Sequence, residues 1–254
     1  MADQHRADQH SVRLCHLYPD LMNIYADRGN IAVFEQRLAW RGISLQVTPV
    51  GLGEVIDPSS HDLYYLGGGQ DRDQNLVAQD LQTNADALRS AAQDGAAQLY
   101  VCGGIQLAGH SYVTTNGTTL AGLGILDLHT VAGSTRLIGD LVIDATVSDI
   151  QQQIVGYENH AGRTHLGSDC NPLGTVVSGN GNNGIDGTEG AIWNRVVGTY
   201  LHGPLLPKNP QLADIVLGWA LEHRYGRAVA LDPLDDAFES KAHNAAVARA
   251  GVKR

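Results

Sequence analysis

The chain has 254 residues, 43% of them apolar and 17% charged, which is the composition of a folded globular protein rather than a disordered or fibrous one. Its formal net charge is −10, which argues against a nucleic-acid partner, and no basic stripe is present to bind one. Three cysteines, Cys15, Cys102 and Cys170, form no CxxC pair and no metal-type spacing, which fits a reducing cytoplasm rather than a disulfide scaffold or a metal site.

The first ten residues are polar and repeat Asp-Gln-His. They lack the apolar stretch of a secretory signal, so residues 1–11 read as a disordered extension. Residues 12–17 alternate as a first strand. Residues 30–41 carry Ile31, Phe34, Leu38 and Ala39 at helical spacing, with Gly42 closing the helix. Residues 43–50 read as a second strand, and 62–66 as a short strand running into Gly67-Gly68-Gly69. One polar-faced helix is predicted over 71–93 and the next strand over 98–101. This alternation predicts a mostly parallel sheet with helices on both faces, an α/β fold. Beyond residue 121 the pattern changes to short apolar runs at 124–131, 136–147, 154–157, 175–177 and 191–193, read as added antiparallel strands. Residues 196–201 form a further strand that delivers His202. Residues 210–225 form an amphipathic helix. Residues 232–254 are charged and Ala-rich, a peripheral helix or a partner-ordered tail. With no internal repeat and no linker, 12–231 reads as one domain. No run approaches the ~18 apolar residues of a membrane span, so no membrane insertion is expected.

Three features carry chemistry. Cys102 follows the apolar run Leu99-Tyr100-Val101 and precedes Gly103-Gly104, as when a strand hands a nucleophile to a sharp turn that opens a helix. A helix N-terminus places partial positive charge near the sulfur, which favours thiolate. A buried core thiol is the competing reading. His202 stands at the C-terminal end of its strand, the edge where sites form in open α/β sheets. Imidazole there can take the thiol proton and protonate a leaving group. The Gly67–Gly69 loop offers backbone N–H groups. With neither a GxGxxG nor a GxxxxGK[ST] pattern present, it reads as half of an oxyanion hole completed by the N–H of Gly103. Cys15 and Cys170 read as structural thiols, one in a strand core and one in a polar loop.

These pieces come with longer blocks: His16-Leu17-Tyr18-Pro19-Asp20-Leu21-Met22-Asn23, Tyr25-Ala26-Asp27-Arg28-Gly29-Asn30, Gly67-Gly68-Gly69-Gln70-Asp71-Arg72, Cys102-Gly103-Gly104-Ile105-Gln106, Gly156-Tyr157-Glu158-Asn159-His160-Ala161-Gly162-Arg163-Thr164 and Tyr200-Leu201-His202-Gly203-Pro204. Together they resemble the class I glutamine amidotransferases of the cobyric-acid-synthase-like type across roughly residues 12–225. The opening block and the 158–164 block resemble, within that family, the glutaminase subunits that serve a MurT-type ligase. The resemblance implies that Cys102 attacks the amide of L-glutamine and that the oxyanion rests on N–H groups near Gly67 and Gly68 and on Gly103. His202 then protonates ammonia and activates water. Gln106 and Arg136 resemble the positions that hold the substrate, Arg136 through the α-carboxylate; a solvated strand-end charge is the competing reading for Arg136. Glu158 and His160 are candidates for polar support near the site.

One departure stands out. Many class I amidotransferases carry a glutamate two residues after the histidine, and this chain has Pro204 there. Glu158 and Asp27 are the intrachain candidates for the missing carboxylate; the resemblance implies instead an acidic residue given by the partner. It also implies a heterodimer in which a MurT-like synthetase uses ATP to amidate the D-glutamate of the lipid II stem peptide, in the cytoplasm, with no cofactor on this chain. Two alternatives remain: another glutaminase or cysteine amidase of this fold, such as a cobalamin-pathway amidotransferase or a γ-glutamyl hydrolase, or a non-catalytic regulatory subunit.

Overall fold

Strand residues of alternating parity point to opposite faces of a sheet, and the buried side chains here sort that way. In a computed structural model that describes residues 10–24 and 28–252, the first sheet is built from β1 (Ser11–Leu17), β2 (Ser44–Val50), β3 (Leu63–Leu66), β4 (Ala97–Val101), β11 (Ala191–Trp193) and β12 (Val196–Thr199). Their order is β11-β12-β4-β3-β1-β2, all parallel except the edge strand β11. Cys15, Leu17, Tyr64, Leu66 and Tyr100 pack on one face with side chains of α2 (Asp71–Leu81), α3 (Ala85–Gln93) and α4 (Gly103–Ala108). Leu14, Leu63, Tyr65, Leu99 and Val101 pack on the other with α1 (Arg28–Ala39) and α5 (Pro210–Tyr225). The predicted α/β arrangement with both faces covered is therefore the observed one.

The predicted single helix over 71–93 is interrupted. A 3-10 turn at Gln82–Asn84 separates α2 from α3. Buried Asn84 there turns its amide to the 51–56 loop: Oδ1 accepts from the Ile56 N–H (2.9 Å) and Nδ2 donates to the Glu54 carbonyl (2.8 Å). Tertiary hydrogen bonds override the helical periodicity, as Asn side chains that reach backbone groups tend to do.

The second half forms its own sheet, from β5 (Ser111–Val113), β6 (Thr119–Ala121), β7 (Leu128–Val147), β8 (Ile150–Leu166), β9 (Gly174–Ser178) and β10 (Thr188–Glu189). The order is β10-β9-β7-β5-β6, with β8 paired antiparallel to β7. The runs predicted at 124–131 and 136–147 are one 20-residue strand, interrupted by a register shift between Ala132 and Leu137. The run at 154–157 is the middle of a 17-residue strand. Their polar stretches hid this continuity, because a strand that leaves the core keeps its pairing without keeping apolar alternation. Leu141, Ile143, Ala145 and Ile154 join the core shared with α5, and Val142 and Val155 on the other face are covered by Ala246 and Val247 of α6 (Ala237–Arg249). The Ala-rich tail is thus a docked helix. The extension over 1–11 falls almost wholly outside the described residues.

Candidate active site

Neighbouring parallel strands β4 and β12, with Val101 opposite Thr199, end at the same edge. Cys102 follows Val101 at φ 54°, ψ −109°, a left-handed backbone that side chains rarely adopt, and caps α4. Such a residue persists only where its surroundings over-determine it. Here the Cys102 N–H donates to the Thr199 carbonyl (2.8 Å), and α4 is buried from end to end. Gly104 makes the turn possible, since a Cβ there would lie 2.4 Å from the Leu66 carbonyl oxygen. The other thiols are inert: burial pushes Cys15 up to about 12, and burial with the Asp127 charge pushes Cys170 up to about 11.

Cys102 opens onto a cavity of about 400 Å³ lined also by Ile24, Gly69, Gln70, Arg72, Arg136 and Asn159. Arg136, exposed on the cavity rim, falls within the irregularity of β7 between Ala132 and Leu137. Its Nε donates to Asn159 Oδ1 (2.7 Å) and its Nη2 to the Asn159 carbonyl (2.6 Å), which leaves Nη1 for a ligand. Of the glycine loop, Gly69 rather than Gly67 or Gly68 reaches the cavity. Gly67 and Gly68 are buried behind it, and the Gly68 carbonyl accepts from the Ile24 N–H (3.1 Å). Gly103 faces Gly69, whose nitrogen lies 3.3 Å from where a Gly103 Cβ would sit, and Met22 packs against both glycines. Gln106 is not on the cavity wall. It is buried, accepting from Gln74 Nε2 (2.7 Å) and donating to the Tyr200 hydroxyl (3.2 Å), so it stiffens α4 rather than facing the open space.

His202 lies past the end of β12, which stops at Thr199 rather than running on to the predicted residue 201. It is fastened to β8 by a two-way backbone bridge with Tyr157 (3.0 and 3.1 Å). Burial, aided by the nearby His160, Arg136 and Lys208 and opposed by Glu158, pushes its imidazole down to about 4. A neutral imidazole at pH 7 is a competent base, but an imidazolium is poorly stabilised there. Glu158 and His160 form a buried pair (3.6 Å), with His160 stacked flat on Tyr200 at 3.6 Å. Both Glu158 oxygens are occupied: Oε1 accepts from Asn180 N–H (2.7 Å) and Nδ2 (2.8 Å), Oε2 from Gly181 N–H (3.0 Å). Burial acts to raise its pKa, but His160 and the Asn180 bonds outweigh it and hold the carboxyl below its ordinary value. Glu158 is therefore tied to the 180–181 loop, and Asp27, the other intrachain candidate, lies outside the described residues.

Two groups escaped the sequence reading. Arg72 adds a second guanidinium to the cavity; its signal was its place directly after the Gly67–Asp71 run. Glu189, fully buried between Thr188 and Gly190, accepts at Oε1 from the Thr199 hydroxyl and the Tyr200 N–H, both at 2.7 Å. Nothing in its local pattern announces a buried carboxyl. A nucleophile elbow, a neutral imidazole on the adjacent strand end, backbone amides and a guanidinium make an arrangement suited to acyl transfer from a carboxamide. Among the described residues no helix is long and apolar enough to cross a membrane.

Residues 13–210 match the CobB/CobQ-like glutamine amidotransferase domain. The chain is 40% identical to the lipid II isoglutaminyl synthase (glutamine-hydrolyzing) subunit GatD of Staphylococcus aureus, over 96% of this chain and 98% of that protein. It is 37% identical to the GatD subunit of Streptococcus pneumoniae, over 89% and 87%. A solved structure of PurLQS from Thermotoga maritima superposes with a TM-score of 0.56 at 16% identity, covering 84% of this chain and 99% of that one, a likeness of fold.

Proposed function

The chain belongs to the CobB/CobQ-like glutamine amidotransferase family, and from that premise we propose that it is the glutaminase subunit of a lipid II isoglutaminyl synthase. Its chemistry starts at Cys102. His202 takes the thiol proton, and the thiolate attacks the side-chain carboxamide of L-glutamine, whose α-carboxylate rests on Arg136. The oxyanion is received by backbone amides of the Gly67–Gly69 loop, with Gly69 foremost, and of Gly103. His202 passes the proton taken from the thiol to the departing ammonia, leaving a thioester. It then takes a proton from water, whose oxygen attacks the thioester carbonyl, and returns that proton to the departing Cys102 sulfur as glutamate is released. The observation that carries this reading is the joint placement of the strained Cys102 elbow, His202 on the adjacent strand end, and Arg136 in the Cys102 cavity.

The ammonia serves a separate ATP-dependent ligase of the MurT type, which amidates the D-glutamate of the lipid II stem peptide in the cytoplasm. That partner also supplies the carboxylate that orients His202. Pro204 stands where the family glutamate would be, and the charges acting on His202 are mostly positive. A carboxylate arriving from outside would lift the imidazole from about 4 toward neutrality. Glutamine hydrolysis is then slow in the isolated chain and rises on addition of the ligase subunit, and the acid limb of its pH profile moves upward. Full activity in the isolated chain, or an acid limb that stays put, would sink the trans-carboxylate part. Glutamine hydrolysis surviving Cys102→Ala would sink the glutaminase reading itself.

A further inference from the structure

Glu189 does not line the Cys102 cavity and is not part of the reaction scheme, yet it is built into the seam between the nucleophile and the base. Two strands press together at this point. A Cβ on Gly190, held at φ +64°, would lie 2.6 Å from the Gly198 carbonyl oxygen, so only glycine lets the segment come this close. Glu189 then reaches across to the end of β12. Its Oε1 alone takes two hydrogen bonds, from the Thr199 hydroxyl and the Tyr200 N–H. The same hydroxyl accepts from the Leu201 N–H (3.0 Å), so three consecutive residues before His202 are held by one carboxyl–hydroxyl unit. The Thr199 carbonyl receives the Cys102 N–H (2.8 Å). Glu189 Oε2 is buried and meets no hydrogen-bond partner among the described residues. A carboxyl left half-satisfied in an interior otherwise well paired is costly, and such groups mark places where function sets the arrangement.

We propose that Glu189 is a positioning residue for the Cys102–His202 pair, its carboxyl fixing the Thr199–Tyr200–Leu201 turn from which the elbow and the imidazole take their relative placement. The role rests on the glutaminase reading of Cys102. It needs an acceptor oxygen at Oε1 and no charge, which separates it from an ion-pair partner of His202. The link to the elbow runs through the Thr199 backbone, so loss of the carboxyl relaxes the turn without touching Arg136 or the substrate cavity.

The test uses the full chain with Glu189→Ala, Glu189→Gln and Thr199→Val, all beside the parent and Cys102→Ala. Three quantities are measured: the rate of Cys102 alkylation by iodoacetamide, kcat and KM for glutamine hydrolysis with the ligase subunit present, and the thermal midpoint. Glu189→Ala, below its melting range, should slow alkylation and lower kcat by about 10-fold or more with KM within about 3-fold, the signature of misplacement rather than lost binding. Glu189→Gln, which keeps the acceptor oxygen, should recover most of that loss, and Thr199→Val should fall between. Parent-like kcat and alkylation in folded Glu189→Ala overturn the proposal, as does Glu189→Gln no better than Glu189→Ala. If Glu189→Ala does not fold, a parent-like kcat in Thr199→Val overturns it instead. Glutamine hydrolysis surviving in Cys102→Ala defeats the glutaminase reading, whatever the Glu189 variants do.

Discussion

Cys102 is held at φ 54° by hydrogen bonds and packing made elsewhere, so its reactivity depends on residues that never touch glutamine. Gly104 is the plainest of these. Adding one methyl 2.4 Å from the Leu66 carbonyl forces the elbow or β3 to move. Gly104→Ala should cost about 1–3 kcal/mol of stability, the range for overpacking, together with most of the glutaminase activity. Urea unfolding and a glutamine hydrolysis assay check both. Glu189 sets a second test. Burial first, with the Glu158 charge adding and the Thr199 and Tyr200 hydrogen bonds opposing, raises its carboxyl from 4.5 to about 7. The folded chain therefore keeps a proton that the unfolded chain loses between those values, and stability falls as pH rises across that window. At about 1.4 kcal/mol per pH unit the loss is about 3 kcal/mol. His202 acts oppositely between about 4 and 6.5, where the unfolded chain binds more protons and stability rises with pH. The difference between parent and Glu189→Gln isolates the glutamate: the parent should lose stability relative to the variant from pH 4.5 to pH 7.5. Parallel curves would mean that Glu189 is ionised in the folded chain.

At the level of elements, breaks and irregularities carry the functional information. The α2–α3 interruption exists because Asn84 serves the 51–56 loop instead of a helix, and Asn84→Ala strands the buried Ile56 N–H. A loss of about 1–3 kcal/mol in denaturant unfolding is expected, the cost of an unsatisfied buried group. Arg136, which lines the cavity that holds Cys102, lies within the irregularity between Ala132 and Leu137 in β7. A regular ladder would alternate that stretch strictly in and out, and a bulge is the usual way to re-aim one side chain. The docked α6 closes the outer face of β7 and β8 through Val247, with Arg249 paired to Asp140 (2.8 Å) at its end.

For the molecule as a whole, the central question is how two sheets are kept in one geometry when the site draws on both. Cys102 and His202 come from the first, Arg136 and Asn159 from the second. Part of the answer is Arg37 on α1, buried although charged. It donates to Asp214 on α5 (Nε, 2.7 Å) and to Asp236 at the foot of α6 (Nη1, 2.6 Å), while Arg41 also grips Asp214 (2.7 Å). Breaking a buried ion pair costs about 3–5 kcal/mol, and the low end applies because both aspartates are about a quarter exposed. Arg37→Ala should therefore unfold at lower urea by about 3 kcal/mol. It should also raise KM for glutamine more than it lowers kcat, since α6 backs the sheet that carries Arg136. A kcat loss with unchanged KM would count against this coupling.

The parallel sheet, the two helical layers and the Cys102 elbow were all legible in local pattern, because parity, helical spacing and glycine placement act within a few residues. Position 204, a proline where a carboxylate was due, was legible too. The long β7–β8 hairpin was not, since its polar stretches lose the apolar alternation that marks a strand. Gln106 read as a substrate contact and stands in a buried network, and Gly69 rather than Gly67 or Gly68 meets the cavity; both turn on side-chain direction after folding. Glu189 was invisible for the same reason. Its meaning comes from Thr199 and Tyr200, ten and eleven residues away, met only when β11 folds back on β12. The sequence by itself determined the elements and the reactive residue types. Which of them converge on Cys102, and at what protonation, was decided by tertiary packing, because hydrogen bonds across the chain and burial exist only in the folded molecule.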